Sequence, residues 1–230
     1  MHTTQSLAVV FGGTGSIGQA IVRELKQHFA NVLIVSRNSP QADITWDGQT
    51  ELPIHTIKKY SIHAVVWAQG SNFSDNIDSL DMNLHRDMYE ANVGYILKSL
   101  RAIKHADLLA PSAKLCVISS VWQNLARQNK LSYSITKSAL QGLVNSLSVD
   151  LGASGILINA VLPGAIDTPM THKNLTTEQI ESIKKESPLG TLATLDDVAK
   201  LVYFLCSDNN TGITGQFIAA DRGFSHARVL

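Results

Sequence analysis

The sequence has few cysteines, no excess of charge of either sign and no long apolar run, and each shortage excludes a class of protein. Its two cysteines, Cys116 and Cys206, are too few for a disulfide framework, and we expect buried free thiols in a reducing compartment. Lysine and arginine together number 19, as do aspartate and glutamate, so a generally basic nucleic-acid-binding protein is not expected. No apolar run approaches the roughly 18 residues that a membrane-spanning helix needs, and the N-terminus lacks the basic start of a secretion signal. We therefore expect a cytoplasmic protein with no membrane or nucleic-acid partner.

The composition is that of a folded globular chain. Hydrophobic residues make up 44% of the 230 residues, which suffices for a substantial core and excludes disorder as the main state. The eight histidines show no paired spacing typical of metal sites, so no bound metal is expected. No repeat, low-complexity tract or flexible linker divides the chain, and a single domain spanning residues 1–230 is the simplest interpretation.

Short apolar runs alternate along the chain with longer segments of helical periodicity. The runs are continuously apolar, as in strands covered on both faces, and lie at 7–11, 32–35, 64–67, 115–118, 156–158 and 217–219. The helical segments lie at 16–28, 84–106, 133–150 and 194–206. This alternation predicts an α/β fold, a Rossmann-like doubly wound parallel β-sheet with helices on both faces.

Two connections depart from a regular βαβ pattern. The stretch 36–64 is too short for a strand and two crossover helices, so one helix must be reduced or missing, and 43–45 is a weak candidate for an extra strand. The stretch 164–194 is long and contains one candidate helix, Thr177–Glu186. Long connections in compact domains are often functional, and we predict a substrate lid at about residues 165–192.

A glycine-rich turn follows the first strand and opens the first helix, where Gly13, Gly15 and Gly18 fit the pattern G-x-G-x-x-G. Glycine permits the tight turn and lets the backbone approach a pyrophosphate, which the free N–H groups of the helix start can bind. A lone motif of this kind could be a plain turn, but its position between strand and helix favours nucleotide binding. The predicted cofactor-binding residues here are Gly12, Gly13, Thr14, Gly15, Ser16, Ile17 and Gly18.

The end of the second predicted strand bears on the choice of cofactor. An acidic residue about 20 positions after the glycines binds the ribose 2′-hydroxyl of NAD, but this chain has Ser36 and Arg37 there. An arginine can pair bidentately with a 2′-phosphate, which an acid would repel. We therefore predict that NADP(H) is preferred and NAD(H) less favoured, with an exposed surface arginine as the alternative interpretation of Arg37.

Tyr133 and Lys137 lie four residues apart in a predicted helix and share one of its faces. A free phenol has a pKa of about 10, which makes it a poor acid–base group at neutral pH. A nearby lysine cation favours the phenolate, and we expect it to lower the pKa of Tyr133 toward the operating range. A tyrosine four residues before a lysine is common by chance. What favours a catalytic pair here is its position after an apolar strand that ends in Ser119 and Ser120.

Taken in order, these motifs resemble the short-chain dehydrogenase/reductase family over nearly all 230 residues. After the glycine turn come Asn92 within Glu-Ala-Asn-Val-Gly, Ser120 after Ile-Ser, and then Tyr133 and Lys137. The family's active serine precedes its tyrosine by thirteen residues, which selects Ser120 over Ser119. The stretch 159–168 resembles the family's Pro-Gly loop beside the nicotinamide, and 213–216 and 221–223 resemble its closing strand and loop.

The resemblance implies a function and a role for each site residue. The activity would be the NAD(P)H-dependent interconversion of a small-molecule carbonyl and an alcohol. Tyr133 would be the general acid, Ser120 would hydrogen-bond the reacting oxygen, and Lys137 would lower the tyrosine pKa and hold the nicotinamide ribose. Asn92 would position a water that relays protons to Lys137. The remaining cofactor contacts implied are Pro163, Gly164, Ile166 and Thr168, and the family implies a homodimer or homotetramer.

The chain departs from the family at one prominent motif. Asn-Asn-Ala-Gly after the fourth strand is replaced by Trp67, Ala68, Gln69 and Gly70, so the asparagine's bracing role is absent. We still expect the backbone of Ala68, Gln69 and Gly70 to line the adenosine ribose. Asp43 is a candidate for the acid that meets the adenine.

Two alternatives to a reductase stay open at the sequence level. One is a non-catalytic NADP-binding regulator or scaffold, since enzyme folds also host other functions. Loss of Tyr133 or Lys137 would have favoured it, and both are present. The other is an epimerase or dehydratase of the family's extended branch, against which the Pro-Gly loop and the short C-terminal region argue.

Overall fold

The computed structural model describes residues 6–58 and 60–226, and within them seven strands form one parallel sheet. The strands are β1 (Ser6–Phe11), β2 (Asn31–Ser36), β3 (Ile44–Thr45), β4 (Ser61–Trp67), β5 (Leu109–Ile118), β6 (Leu157–Pro163) and β7 (Phe217–Ala220). Their order across the sheet is β3-β2-β1-β4-β5-β6-β7, and each neighbouring pair is parallel. The predicted doubly wound α/β fold is confirmed.

Helices connect the strands on both faces of the sheet. They are α1 (Ser16–Leu25), α2 (Met82–Tyr89), α3 (Tyr95–His105), α4 (Leu131–Asp150), α5 (Pro169–Asn174), α6 (Thr177–Glu186) and α7 (Leu195–Cys206). The predicted helix at 84–106 is divided by a π-helical turn, Glu90–Gly94. Helix α5 was not predicted from the sequence; it begins at a proline and is capped by the Thr168 side chain. Within the described residues, no helix has both the length and the apolar character needed to cross a bilayer.

The buried strand β1 shows how the two faces of the sheet are covered. Leu7, Val9 and Phe11 pack in the core cluster that contains the buried residues of α3 and α4. Ala8 and Val10 pack on the opposite side, with α1 and α7. Each fully buried aliphatic side chain contributes about 1.5–3 kcal/mol, so both faces stabilise the sheet. Cys116 and Cys206 lie in the second cluster as buried free thiols, as predicted.

The described residues of the connection from β2 to β4 form no crossover helix, as the length of the stretch 36–64 predicts. Those residues contain only the two-residue strand β3 and one 3-10 turn, Ile54–Thr56. Aromatic side chains fill the space beneath it: the Tyr95 ring lies 4.5 Å from the Trp46 ring and 5.8 Å from the Phe11 ring, between centroids. The Tyr95 hydroxyl also donates to the Trp46 carbonyl at 3.1 Å. These aromatic residues close the core where a helix is absent.

Candidate active site

All parallel strands end at the same edge of the sheet, and this edge collects the predicted site residues. The glycine turn follows β1, Arg37 follows β2, Gly70 lies three residues beyond β4, and Ser120 lies two residues beyond β5. Ligands of open α/β sheets bind at the carboxyl ends of the strands, where the strand order reverses direction. Here β1 connects outward to β2, and β4 lies on its other side, so the reversal occurs beside the glycine turn.

The glycine turn is shaped by close backbone approaches. Gly12 has a φ of +76°, and a Cβ atom there would lie 2.5 Å from the Gln69 backbone nitrogen. A Cβ atom at Gly18 would lie 2.1 Å from the Gly12 carbonyl oxygen, so both positions require glycine. Gly15 is the N-cap of α1 and no side chain caps this helix, so Ser16 does not serve as the cap. The first N–H groups of α1 are therefore left for an anion.

A cleft of about 520 Å³ extends from this turn. Of the predicted cofactor-binding residues, it is lined by Gly12, Thr14, Gly15, Ser36, Arg37, Ala68, Gln69 and Gly70. Gly13 and Gly18 are buried within the turn, and Ile17 packs against the core on the α1 face. The Gln69 side-chain amide is buried and has no hydrogen-bond partner among the described residues. A nucleotide-binding cleft fits these features, because it has an open helix start and a buried polar group still to be satisfied.

The far end of the cleft carries both signs of charge. Arg37 is exposed at its wall, and the adjacent Ser36 hydroxyl lies 2.9 Å from the Thr14 hydroxyl of the glycine turn. Asp43 is not in the cleft, since its carboxylate accepts the Ile34 backbone N–H at 2.8 Å beside β2. Asp47 lines the cleft instead, and the backbone N–H of Gln49 holds the pKa of its carboxyl below the ordinary value. Sequence analysis missed Asp47, and the signal that could have found it is the Asp-Gly pair that begins two residues after β3.

The four predicted catalytic residues come from four different elements. Tyr133 and Lys137 lie in the first two turns of α4, Ser120 follows β5, and Asn92 lies in the π-helical turn. The Lys137 ammonium is buried, donates to the Ile118 carbonyl at 3.0 Å and lies 5.7 Å from the centre of the Tyr133 ring. Ser119, in contrast, donates its hydroxyl to the Gln123 side chain at 2.8 Å.

Gly70 is the point at which these elements meet. A Cβ atom there would lie 2.9 Å from the Asn92 side-chain oxygen and 3.9 Å from the Lys137 ammonium. The Asn92 oxygen accepts the Ser71 N–H at 2.7 Å, and its amide donates to the Thr136 hydroxyl at 2.9 Å. Asn92 therefore links the segment after β4 to α4, where its partner Thr136 directly precedes Lys137.

Burial controls the ionisation of the Tyr133–Lys137 pair. Burial lowers the pKa of Lys137 to about 8. Burial also raises the pKa of Tyr133 above its ordinary value, and a hydrogen bond with the Ser120 hydroxyl opposes that rise only in part. The expected lowering of the tyrosine pKa by Lys137 is thus wrong for the protein by itself. The ammonium lies beside the ring and is bonded to Ile118, so it does not stabilise the phenolate enough to offset desolvation.

The residues predicted beside the nicotinamide follow β6. Pro163 ends this strand, and a Cβ atom at Gly164 would lie 2.8 Å from the Asp221 Cβ, so the loop packs closely on the turn after β7. Ile166 is buried, and the Thr168 hydroxyl accepts the Thr171 N–H at 3.3 Å as the cap of α5. These four residues do not line the cleft that contains Arg37. No group of three or more potential metal ligands occurs among the described residues.

Comparison with known proteins identifies the family. A crystal structure of an oxidoreductase of the short-chain dehydrogenase/reductase family from Burkholderia thailandensis superposes with a TM-score of 0.87 at 24% identity, covering 98% of this chain and 95% of that one. The family model described as Enoyl-(Acyl carrier protein) reductase matches residues 12–225. The chain belongs to the short-chain dehydrogenase/reductase family.

Relatives in this family match over most of their length. The L-rhamnose 1-dehydrogenase (NADP(+)) of Thermoplasma acidophilum is 26% identical over 245 residues, covering 94% of this chain and 94% of its own. The 3-oxoacyl-(acyl-carrier-protein) reductase FabG of Escherichia coli is 27% identical over 241 residues, covering 97% and 98%. As a short-chain dehydrogenase/reductase, this chain is an NAD(P)H-dependent oxidoreductase that interconverts a carbonyl and an alcohol.

Proposed function

We propose that this short-chain dehydrogenase/reductase acts on a small carbonyl compound or its alcohol with NADP(H) as the preferred cofactor and Tyr133 as the proton donor. The observation that carries the proposal is the convergence of Asn92 and Lys137 on Gly70, which lines the cleft. Tyr133 lies on that same helix, with the Ser120 hydroxyl as its neighbour. No comparable observation favours a non-catalytic regulator.

The residues of the cleft fit a dinucleotide. The pyrophosphate would lie on the N–H groups at the start of α1, with Gly12 and Gly15 allowing its approach. Ala68 and Gly70 would line the ribose, and the unpartnered Gln69 amide would gain a partner. Lys137 would hold the second ribose, and the loop of Pro163, Gly164, Ile166 and Thr168 would face the nicotinamide. When bound, the cofactor supplies or accepts the hydride.

The chain's own residues control the proton and the charge on the reacting oxygen. Tyr133 keeps its proton in the protein alone, because burial raises its pKa, and so can donate it to the carbonyl oxygen. Ser120 donates a second hydrogen bond to the same oxygen and stabilises developing negative charge. The nearby Lys137 cation stabilises the phenolate that remains, and Asn92 holds the adjoining backbone of Ser71 in place.

Replacement of Tyr133 by phenylalanine tests the chemical role directly. The hydroxyl is lost and the ring remains, so kcat for carbonyl reduction should fall about 10²- to 10⁴-fold, while the dissociation constant for NADPH changes little. Steady-state kinetics and fluorescence titration measure the two quantities. Full activity in the Tyr133→Phe variant would remove Tyr133 as proton donor, whereas loss of NADPH binding would indicate a structural role instead.

The preference for NADP(H) rests on Arg37 and on the absence of an acid at the end of β2. Ser36 is braced by the Thr14 hydroxyl, and the exposed guanidinium of Arg37 lies at the wall of the same cleft. The Thermoplasma acidophilum relative carries NADP(+) in its name, which supports the same choice.

An Arg37→Glu variant tests the preference. The new carboxylate would repel a 2′-phosphate, and the lost charge-assisted contact alone should raise the dissociation constant for NADPH about 10- to 100-fold. The constant for NADH, which lacks that phosphate, should stay within about threefold of wild type. Lys200→Glu, a charge reversal at an exposed position on α7, is the control. A variant that keeps its NADPH preference contradicts the assignment.

We also propose the arrangement of the whole chain: one cytoplasmic catalytic domain over 1–230, with a substrate lid at about 165–192 that includes α5 and α6. The proposed assembly is a homodimer or homotetramer formed by α2, α3 and α4. These helices carry four apolar side chains that are at least 45% exposed, namely Leu84, Leu97, Ile135 and Val149. Exposed apolar surface of this kind is typical of protein–protein contacts.

A further inference from the structure

An arginine outside the four catalytic residues lies close to the chemical end of the site. Arg127 lies in the segment between β5 and α4, and its guanidinium carbon is 5.9 Å from the centre of the Trp122 ring. The Trp122 backbone N–H donates to the Ser120 hydroxyl at 3.3 Å, so the tryptophan is fixed directly beside the active serine. A guanidinium over an indole face is held there by cation–π attraction. Arg127 is therefore held against the side chain of the residue whose backbone is bonded to Ser120.

Two aromatic rings pack together next to Arg127. The Phe224 ring meets the Trp122 ring edge-on, with 6.2 Å between centroids. Phe224 lies in the turn after β7, where the Asp221 carboxylate accepts the backbone N–H groups of Gly223 and Ser225 at 2.9 and 2.8 Å. Asp221 in turn packs against Gly164 of the loop after β6. This packing thus joins the segment after Ser120 to the loop predicted beside the nicotinamide.

The positive charge of Arg127 has no acidic partner among the described residues. The whole segment 119–132 contains Arg127 and Lys130 but no aspartate or glutamate. Lys130 donates to the Asn72 side chain at 2.8 Å and to the Phe73 carbonyl at 3.2 Å. Burial, and next the nearby Arg127 cation, lower the pKa of Lys130. Asp75 is the acid whose charge acts on Lys130, and its carboxylate accepts hydrogen bonds from the Ser132 backbone N–H and hydroxyl.

We propose that Arg127 binds an anionic group of the substrate, and that Trp122 and Phe224 contact the apolar part between this group and the reacting carbonyl. A guanidinium recognises the paired oxygens of a carboxylate or phosphate through two parallel hydrogen bonds. Arg127 is partly buried against Trp122 and has no acidic partner among the described residues, so its guanidinium is free to pair with an anionic ligand. The inference rests on the proposed function and adds the substrate class: carbonyl compounds that carry an oxyanion.

Matched pairs of charged and neutral compounds test this class. Levulinate and ethyl levulinate probe a carboxylate, and acetoacetyl-pantetheine with and without its 4′-phosphate probes a phosphate. Titration calorimetry with the NADP⁺-loaded enzyme gives dissociation constants without turnover, and kcat/KM is measured with NADPH. In at least one pair, the charged member should bind wild type about tenfold more tightly than the neutral member. The pair that shows this difference identifies the oxyanion.

The variant Arg127→Gln removes the charge and keeps a polar side chain of similar length. It should abolish the difference within that pair, lowering kcat/KM for the charged member about tenfold and leaving the neutral member within about twofold. Arg127→Lys should restore part of the loss, since the charge returns without the bidentate fork. Lys200→Gln on α7 is the control for a loss of positive charge elsewhere.

Several outcomes overturn the inference. It fails if the charged probes bind wild type no better than their neutral partners, or do not bind at all. It also fails if Arg127→Gln changes both members of a pair equally, which would indicate a structural effect. These results leave the proposed function intact as long as NADPH binds and a neutral ketone is reduced, whereas loss of both contradicts the proposed function itself.

Discussion

At the scale of single residues, Lys137 carries a charge that the fold alone does not favour. Its side chain is buried and has one hydrogen-bond partner, the Ile118 carbonyl. Burial lowers its pKa from 10.5 to about 8. The folded protein therefore binds fewer protons than the unfolded chain between about pH 8 and 10.5, so this residue adds stability as the pH rises through that window. Below pH 8 the cost of the buried charge is present in full.

A Lys137→Met variant should reveal this cost. Without cofactor at pH 7, removal of the buried charge should raise the free energy of unfolding by about 1–3 kcal/mol, reduced by the unpaired Ile118 carbonyl. The gain should shrink as the pH approaches 10.5, where the lysine is neutral in the folded state. Urea unfolding at several pH values measures it. Cofactor affinity should fall in the same variant, and a variant that is less stable at pH 7 would contradict the argument.

At the scale of elements, the Trp67 side chain braces the end of β4 against α3 and β1. Its indole N–H donates to the buried Ser99 hydroxyl of α3 at 2.9 Å, and Ser99 donates to the Tyr95 carbonyl at 2.8 Å. The Trp67 ring also stacks on Phe11 of β1 with 6.0 Å between centroids. Strand β4 is thereby tied to α3 and β1, close to the turn that holds Asn92.

A double-mutant cycle tests this brace. Ser99→Ala leaves a buried indole N–H without a partner, which should cost about 1–3 kcal/mol and lower Tm by about 2–4 °C per kcal/mol. In a Trp67→Phe background no indole N–H is left without a partner, so Ser99→Ala should lower the free energy of unfolding much less. Calorimetry of the three variants measures the coupling. Equal costs in both backgrounds would show that Trp67 packs there without the hydrogen bond contributing.

The same elements show which features can be predicted from sequence. The bounds of α6 follow from a local signal, a capping box between Thr176 and Gln179, and agree with the structure. The π-helical turn has no such signal, because it depends on contacts of Asn92 with residues far along the chain. Strand β6 was predicted at 156–158 but runs over Leu157–Pro163, since the polar Asn159 interrupts the apolar run. Its amide is satisfied by the Ile213 carbonyl and the Gln216 N–H.

Some features of the candidate site could likewise be predicted from sequence, and others could not. The family resemblance predicted Ser120, Tyr133 and Lys137 as site residues, and the fold brings them to one edge of the sheet. The resemblance did not identify Asp47, because the shortened connection after β2 removes the usual spacing. The direction of the Tyr133 pKa could not be predicted either, since desolvation depends on the packed structure.

At the scale of the whole molecule, the proposed self-association would depend on the exposed apolar residues of α2, α3 and α4. Light scattering should find a dimer or tetramer of wild type. Ile135→Asp and Leu97→Asp place charges on this surface, where both side chains are almost half exposed, and should yield monomers. Leu189→Asp is a control on the lid side, since Leu189 is 66% exposed but lies outside these helices. A monomeric wild type would contradict the proposed assembly.

The π-helical turn Glu90–Gly94 restricts how this molecule can vary in evolution. A π turn holds one residue more than an α turn, and each residue of a helix advances it by about 100°. Loss of a single codon here would join α2 and α3 into one regular helix and rotate one of them by about that angle. Asn92 would then turn away from Ser71 and Thr136, its present partners. Exposed surface loops tolerate changes of length, whereas the number of residues in this helical segment is fixed by the contacts that Asn92 makes.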